Sequence, residues 1–190
     1  MRYSKIHKLD VSNGEGVGVA LFVQGCHFHC KNCFNNETWD FNKGKEWTLS
    51  IKQRFLELID KPHITRVSIL GGEPLADENI QEVFSLLQEI KERFPDKKIW
   101  LYTGYTIEQT SLINPMNDFF KGDCDFKTAT DNANKNLIRE YIICQCDVLV
   151  DGQYIDELKD ISLKFRGSSN QRIIDVKKSL EENQVVLYIK

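Results

Sequence analysis

Three cysteines, Cys26, Cys30 and Cys33, fall in one short stretch that reads GCHFHCKNCFN over residues 25–35. The spacing is Cys-x3-Cys-x2-Cys, and a loop this tight can turn three thiolates toward one centre. Three thiolates can hold three irons of a cubane 4Fe–4S cluster, one cysteine to each iron, which leaves the fourth iron without a protein ligand. An open metal position is what a catalytic site needs, because a substrate can occupy it. The amino and carboxylate groups of S-adenosylmethionine (SAM) can chelate such an iron. One electron from a low-potential cluster then breaks the sulfonium C–S bond to give methionine and a 5′-deoxyadenosyl radical, chemistry that belongs to the cofactor. The alternative on spacing alone is a zinc site, with His27, His29 or a distant cysteine as fourth ligand and no catalysis.

These residues need a frame. Val17 to Val23 (VGVALFV) reads as a strand that ends at Gly25 and feeds the cysteine loop. Ser50 and Gln53 have capping-box spacing and open a helix to about Asp60, with Ile51, Phe55, Leu58 and Ile59 on one face. Arg66 to Leu70 is a second strand, ending at Gly71-Gly72. A helix follows, with Ile80, Val83, Phe84, Leu87, Ile90 and Phe94 at helical spacing and Pro95 where it should stop. Ile99 to Tyr102 and Asp147 to Val150 read as further strands, and Leu137 to Ile143 as a helix. Arg172 to Val176 and Val185 to Ile189 read as strands of the tail. The alternation implies one α/β domain over residues 1–190 with a mainly parallel sheet, interrupted by a polar insertion at about 114–135. In such sheets chemistry gathers at the C-terminal strand ends, where the cysteine loop, Gly71-Gly72, Thr103-Gly104 and Asp151-Gly152 all lie.

Residues 71–74 read Gly-Gly-Glu-Pro between a strand and a helix. Glycines let backbone approach a ligand closely, and strand-end carbonyls with Glu73 can accept from an ammonium group. A plain strand-to-helix turn also suits these residues. Following the cysteine triplet, the segment resembles the radical SAM superfamily, in which it binds the methionine amino group. That resemblance implies a partial, incomplete β/α barrel.

A narrower resemblance covers most of the chain outside the insertion and the end of the tail. Asn13-Gly14-x-Gly16, Leu21-Phe22-x-x-Gly25-Cys26, Cys33-Phe34-Asn35-x-x-Thr38-Trp39, Thr103-Gly104-Tyr105 and residues 147–152 (DVLVDG) are similar to the anaerobic ribonucleoside-triphosphate reductase activating proteins. So is the long block FRGSSNQR at 165–172, which separates this group from activases of the pyruvate formate-lyase type. The resemblance implies an enzyme that binds the reductase large subunit and abstracts hydrogen from one of its glycines. A reduced flavodoxin or similar carrier would supply the electron. Many radical SAM enzymes place an aromatic near the adenine just before the third cysteine; here that position is Asn32, and the aromatic is Phe34.

Other residues carry two readings each. Arg166 can pair with the SAM carboxylate through its planar fork, anchor the tail, or meet the partner. Thr103 can reach the SAM ribose or make a local turn bond. Cys124, Cys144 and Cys146 read as small hydrophobes rather than as ligands of a second cluster.

The net charge of −3 argues against broad nucleic-acid binding, and no apolar run is long enough to span a bilayer. The N-terminus has no apolar core of a signal peptide, so a cytoplasmic setting with reduced thiols is expected. Anaerobically purified protein should be brown and carry about four irons per chain, with matching sulfide. A colourless protein with one zinc would remove the cluster reading.

Overall fold

The structure is a computed structural model that describes residues 1–110 and 135–189. Positions 114–134 of the expected insertion, with Cys124, lie outside the described residues. The chain forms β1 (Arg2–Asp10), β2 (Gly18–Val23), β3 (Lys45–Glu46), α1 (Leu49–Ile59), β4 (Arg66–Gly71), α2 (Ile80–Arg93) and β5 (Lys98–Tyr102). After the undescribed segment come α3 (Lys135–Cys144), β6 (Val148–Asp151), β7 (Arg172–Asp175), α4 (Val176–Glu182) and β8 (Leu187–Ile189).

Among the described residues these strands make one open sheet in the order β3-β1-β2-β4-β5-β6-β7-β8. Its centre, β2-β4-β5-β6, is parallel. Both flanks, β3-β1-β2 and β6-β7-β8, are antiparallel. The sheet is therefore mixed and not mainly parallel as expected. The cause is connection type: a parallel pair needs a long crossover, whereas β1 reaches β2 through a turn and β6 reaches β7 by doubling back through an irregular hairpin.

Alternation along the strands builds two apolar faces. Val19, Leu21, Val67, Ile69, Ile99, Leu101 and Leu149 pack with Phe55, Ile59, Val83, Leu87, Ile138 and Ile142 of the helices. The opposite residues form two smaller clusters free of helical side chains, one around Trp100, Val148, Val150 and Ile173, the other around Ala20, Phe22 and Leu70. Tyr102 packs against both of these clusters.

Several local readings change. α1 is capped by Thr48, whose Oγ1 accepts the Ile51 amide at 3.3 Å, so Ser50 falls inside the first turn. α2 ends just before Phe94 and Pro95, where the proline was expected to stop it. β1 and α4 have no counterpart in the sequence reading. α4 follows β7 directly because Asp175 caps it, with Oδ1 accepting the Lys178 amide at 3.1 Å. Cys146 is buried, its Sγ donating to the Ile142 carbonyl at 3.2 Å, in keeping with a small core residue. No helix among the described residues is long and apolar enough to cross a membrane.

Arg66, at the start of β4, is fully buried and holds the β1–β2 turn. Its guanidinium donates to the Asp10 carboxylate at 2.9 Å and to the carbonyls of Asn13 at 2.7 Å, Asp10 at 2.8 Å and Glu15 at 3.1 Å. It also contacts Ser68 Oγ. Gly18 leaves the room: a Cβ there would lie 2.8 Å from the guanidinium carbon. A buried cation is tolerated only when its donors are satisfied, and here one carboxylate and the turn's own carbonyls satisfy them. Arg66→Met should leave the buried Asp10 carboxylate unpaired and cost about 3–5 kcal/mol, read as a lower urea midpoint. An unchanged midpoint would show that other contacts hold the turn.

Candidate functional site

The site is assembled where the parallel strands end. β2 leads into Gly25, whose φ of +97° lies in the left-handed region, and a side chain there would collide with the Phe41 ring. The cysteine loop then closes on itself. Gly25 N donates to Thr38 O at 2.7 Å and Cys26 N to Trp39 O at 3.0 Å, so the exit of the loop lies along its entry. Cys33 N donates to Cys30 O at 3.1 Å and tightens the turn between those two cysteines. Gln24, buried, donates from Nε2 to the carbonyls of Glu37 at 3.1 Å and Asp40 at 2.9 Å. The three cysteines emerge half-buried.

The end of β4 meets this loop backbone to backbone. Gly72 N donates to Val23 O at 2.9 Å and Glu73 N to Gly25 O at 2.7 Å, and a Cβ on Gly72 would strike the Gly25 carbonyl. Asn79, buried, braces the junction by donating to Gln24 O at 3.0 Å and Glu73 O at 2.9 Å. The Glu73 carboxylate turns inward. It accepts from Leu75 N at 2.8 Å, Thr103 Oγ1 at 2.7 Å and Gly104 N at 2.8 Å. Three of the roughly four acceptor positions of a carboxylate are thus filled by the protein itself. Glu73 ties the end of β4 to the end of β5, and Thr103 serves that tie.

Cys26, Cys30 and Cys33 line one cavity of about 530 Å³ together with Gly71, Gly72 and Glu73. This is the size of a small-molecule site. Its floor includes Leu70 and Tyr102, and its far wall is the hairpin that carries Phe165 and Arg166. The donor set suits a metal centre. Burial pushes the Cys26 thiol up to about 11 and also raises that of Cys33, with Glu73 and Cys30 adding to the first effect. Thiols so placed ionise readily only beside added positive charge, which iron supplies. Among the described residues, no three His, Cys, Asp or Glu side chains converge on a single metal ion.

The remaining expected residues separate. Phe34 lines the cavity with its ring edge-on to Tyr154 at 5.3 Å, under the Lys159 ammonium. Asn32 does not line it: its φ is +55°, and its Nδ2 donates to Asp156 Oδ2 at 2.7 Å. Beside it Lys31 pairs with Glu157 at 2.9 Å, so these two positions latch the cysteine loop to the hairpin after β6. Arg166 lines the cavity and gives one Nη1 bond to Gln171 O at 2.8 Å. Gln171 organises this block, its Oε1 accepting from Gly167 N at 2.9 Å and Ser168 N at 3.2 Å, its Nε2 donating to Gly152 O at 3.0 Å. His27 faces outward to Glu78 at 3.1 Å, and His29 packs edge-on against Trp39. Gln24 and Asn79 escaped the sequence reading, their only signal being a polar residue near each motif; Gln171 entered it as part of the 165–172 block, without this role.

Residues 12–174 match the family model described as a 4Fe-4S single cluster domain. A Vibrio cholerae protein is 35% identical over 175 residues, covering 91% of this chain and 97% of its own length. An Escherichia coli K12 protein is 31% identical over 90% of this chain and 96% of its own length. A phage T4 protein is 32% identical over 91% of this chain and 93% of its own length. All three bear the name anaerobic ribonucleoside-triphosphate reductase-activating protein.

Glu73 also gives the site a pH signature. Burial pushes its carboxyl from 4.5 up to about 7, against the hydrogen bonds from Gly104, Leu75 and Thr103 that pull it down. Between those two values the folded chain holds a proton that the unfolded chain has lost. Stability therefore falls as pH rises through this window, by on the order of 3 kcal/mol in all. In urea unfolding of metal-free protein between pH 5 and pH 8, the wild type should lose stability relative to Glu73→Gln. Parallel pH profiles for the two would contradict the buried, titrating carboxylate.

Proposed function

This chain belongs to the family of anaerobic ribonucleoside-triphosphate reductase-activating proteins, and on that premise we propose that Cys26, Cys30 and Cys33 each take one iron of its 4Fe–4S cluster. The observation that carries the proposal is that the three half-buried thiols of one loop share a cavity with the Gly71–Glu73 strand end. The chain acts as a glycyl-radical activase of the anaerobic reductase. When bound, the cluster and SAM supply the chemistry: one electron cleaves the sulfonium bond, and the 5′-deoxyadenosyl radical takes a hydrogen atom from a glycine of the reductase large subunit.

The chain's own residues bind and orient. The three thiols would hold the cluster, one to each of three irons. Gly71 and Gly72 let strand-end backbone approach the SAM ammonium. Glu73, with most of its acceptor capacity engaged, holds the strand ends in register beside that group; Thr103 acts through it. The Arg166 guanidinium keeps donors for the SAM carboxylate. Phe34 and Tyr154 offer the aromatic surface against which adenine can lie, and Asn32 serves the latch to Asp156 in place of a cofactor contact. We read the parallel run β2-β4-β5-β6 as an incomplete β/α barrel whose open side admits the large subunit. A reduced flavodoxin or similar carrier donates the electron in a reducing, cytoplasmic setting.

Cys30→Ala should fold, fail to assemble a full cluster, and lose SAM cleavage. Full activity in that variant would overturn the ligand assignment. Wild-type protein mixed anaerobically with reductant, SAM and the large subunit should yield a glycyl doublet in electron paramagnetic resonance. Omission of any one component should abolish it, and a doublet formed without this chain would overturn the activase reading.

A further inference from the structure

The cysteine loop has two faces. The Gly25–Thr38 and Cys26–Trp39 backbone bonds close it at its base. Its inner face borders the cavity already described. Its outer face borders a separate groove of about 520 Å³, lined by His27, His29, Trp39, Phe41 and Lys43 among others. Two ring pairs wall this groove: His27 lies 4.5 Å from Phe41 and His29 4.8 Å from Trp39, between centroids. Among the described residues, Cys26 alone lines both spaces. The rim of the groove carries a loosely held cation. Lys43 is 74% exposed at its side chain, and the Asp40 carboxylate stands 4.0 Å away. Glu37, another carboxylate of the lining, is engaged by Lys5 at 3.4 Å.

We propose that the electron enters by this outer groove, across Cys26, from a flavodoxin-type carrier protein that sets carboxylates against Lys43. The proposal rests on the reading that Cys26 holds one iron of the cluster. SAM and the glycine-bearing segment of the large subunit both need the cavity side, so a carrier cannot dock there while they are bound. The outer groove is set apart from them by the loop itself and touches the centre through one cysteine. Such a groove can pass an electron and no atom. In this step the carrier is oxidised by one electron and the cluster is reduced by one, and no bond to the chain forms or breaks. Each protein partner then has its own face of the loop, and neither has to leave for the other to bind.

Stopped-flow reduction of the reconstituted cluster tests this, with reduced flavodoxin as one reductant and dithionite as the other. Dithionite is small and needs no docking face. Lys43→Glu alters an exposed side chain, and a rim charge acts mainly on the association rate and its salt dependence. The expected result is reduction by flavodoxin slowed about tenfold at low salt, with the gap closing as salt is raised and the dithionite rate unchanged. Lys164→Glu is the mirror variant: the same charge reversal on an exposed residue between Leu163 and Phe165, which line the cavity. It should slow flavodoxin far less. Equal flavodoxin rates in Lys43→Glu and the wild type, equal slowing with both reductants, or slowing as large in Lys164→Glu overturns the proposal. So does a cluster that dithionite reduces and flavodoxin does not. Carbodiimide cross-linking of the wild type to flavodoxin, which joins carboxylates to lysines in contact, reads the docking face without turnover. A link at Lys43 supports the outer groove, and links at Lys159 or Lys164 in its place overturn it. Failure of the underlying reading looks different: dithionite itself then produces no reduced-cluster signal.

Discussion

The hydrogen bond from the Glu73 amide to the Gly25 carbonyl, 2.7 Å long, joins the two halves of the site. It brings the first residue of the cysteine loop against the last turn of β4, and side chains at Gly25 or Gly72 would prevent it. From this junction the rest can be derived. Gln24 and Asn79 brace it with four side-chain donations to backbone carbonyls. Glu73 carries it across to β5 through Thr103 and Gly104. The cavity is the space left over at the ends of three strands, on the face of the sheet that helices do not cover.

Charge decides what that space holds. The cavity wall buries two thiols that resist ionisation and a carboxyl that resists it as well. Such a set is poorly suited to a free cysteine nucleophile, which needs a nearby cation to lower its pKa. It suits a centre that brings positive charge with it, as a metal cluster does. The hairpin after β6 closes the far side, and the pairs Asn32–Asp156 and Lys31–Glu157 tie it to the cysteine loop. Exposed ion pairs contribute little to stability. Their value here is geometric, since they fix the wall that carries Arg166 relative to the sulfurs.

Much of this was legible in the sequence. The cysteine spacing, the Gly71–Glu73 segment and the apolar period of α2 are local signals, and the parallel strands fell where apolar runs met glycine. What was not legible is set by distant residues. Asn32 looked like a cofactor contact because its partner, Asp156, is remote in sequence. Arg66 was legible only as the first residue of a strand; it is buried because Asp10 and the β1–β2 turn supply its acceptors. β1 went unread because its apolar residues are few and do not alternate. The antiparallel flanks followed from how the chain doubles back, which an alternation of strand and helix does not reveal.

Three sulfur ligands would leave one iron open, a place that SAM would take through its amino and carboxylate groups. Electron–nuclear double resonance on the reduced protein, mixed with SAM labelled with nitrogen-15 at the amino group, addresses it directly. The expected result is a nitrogen coupling of the size that an atom bonded to iron gives. A reduced-cluster signal that shows no such coupling, with SAM demonstrably bound, would contradict it.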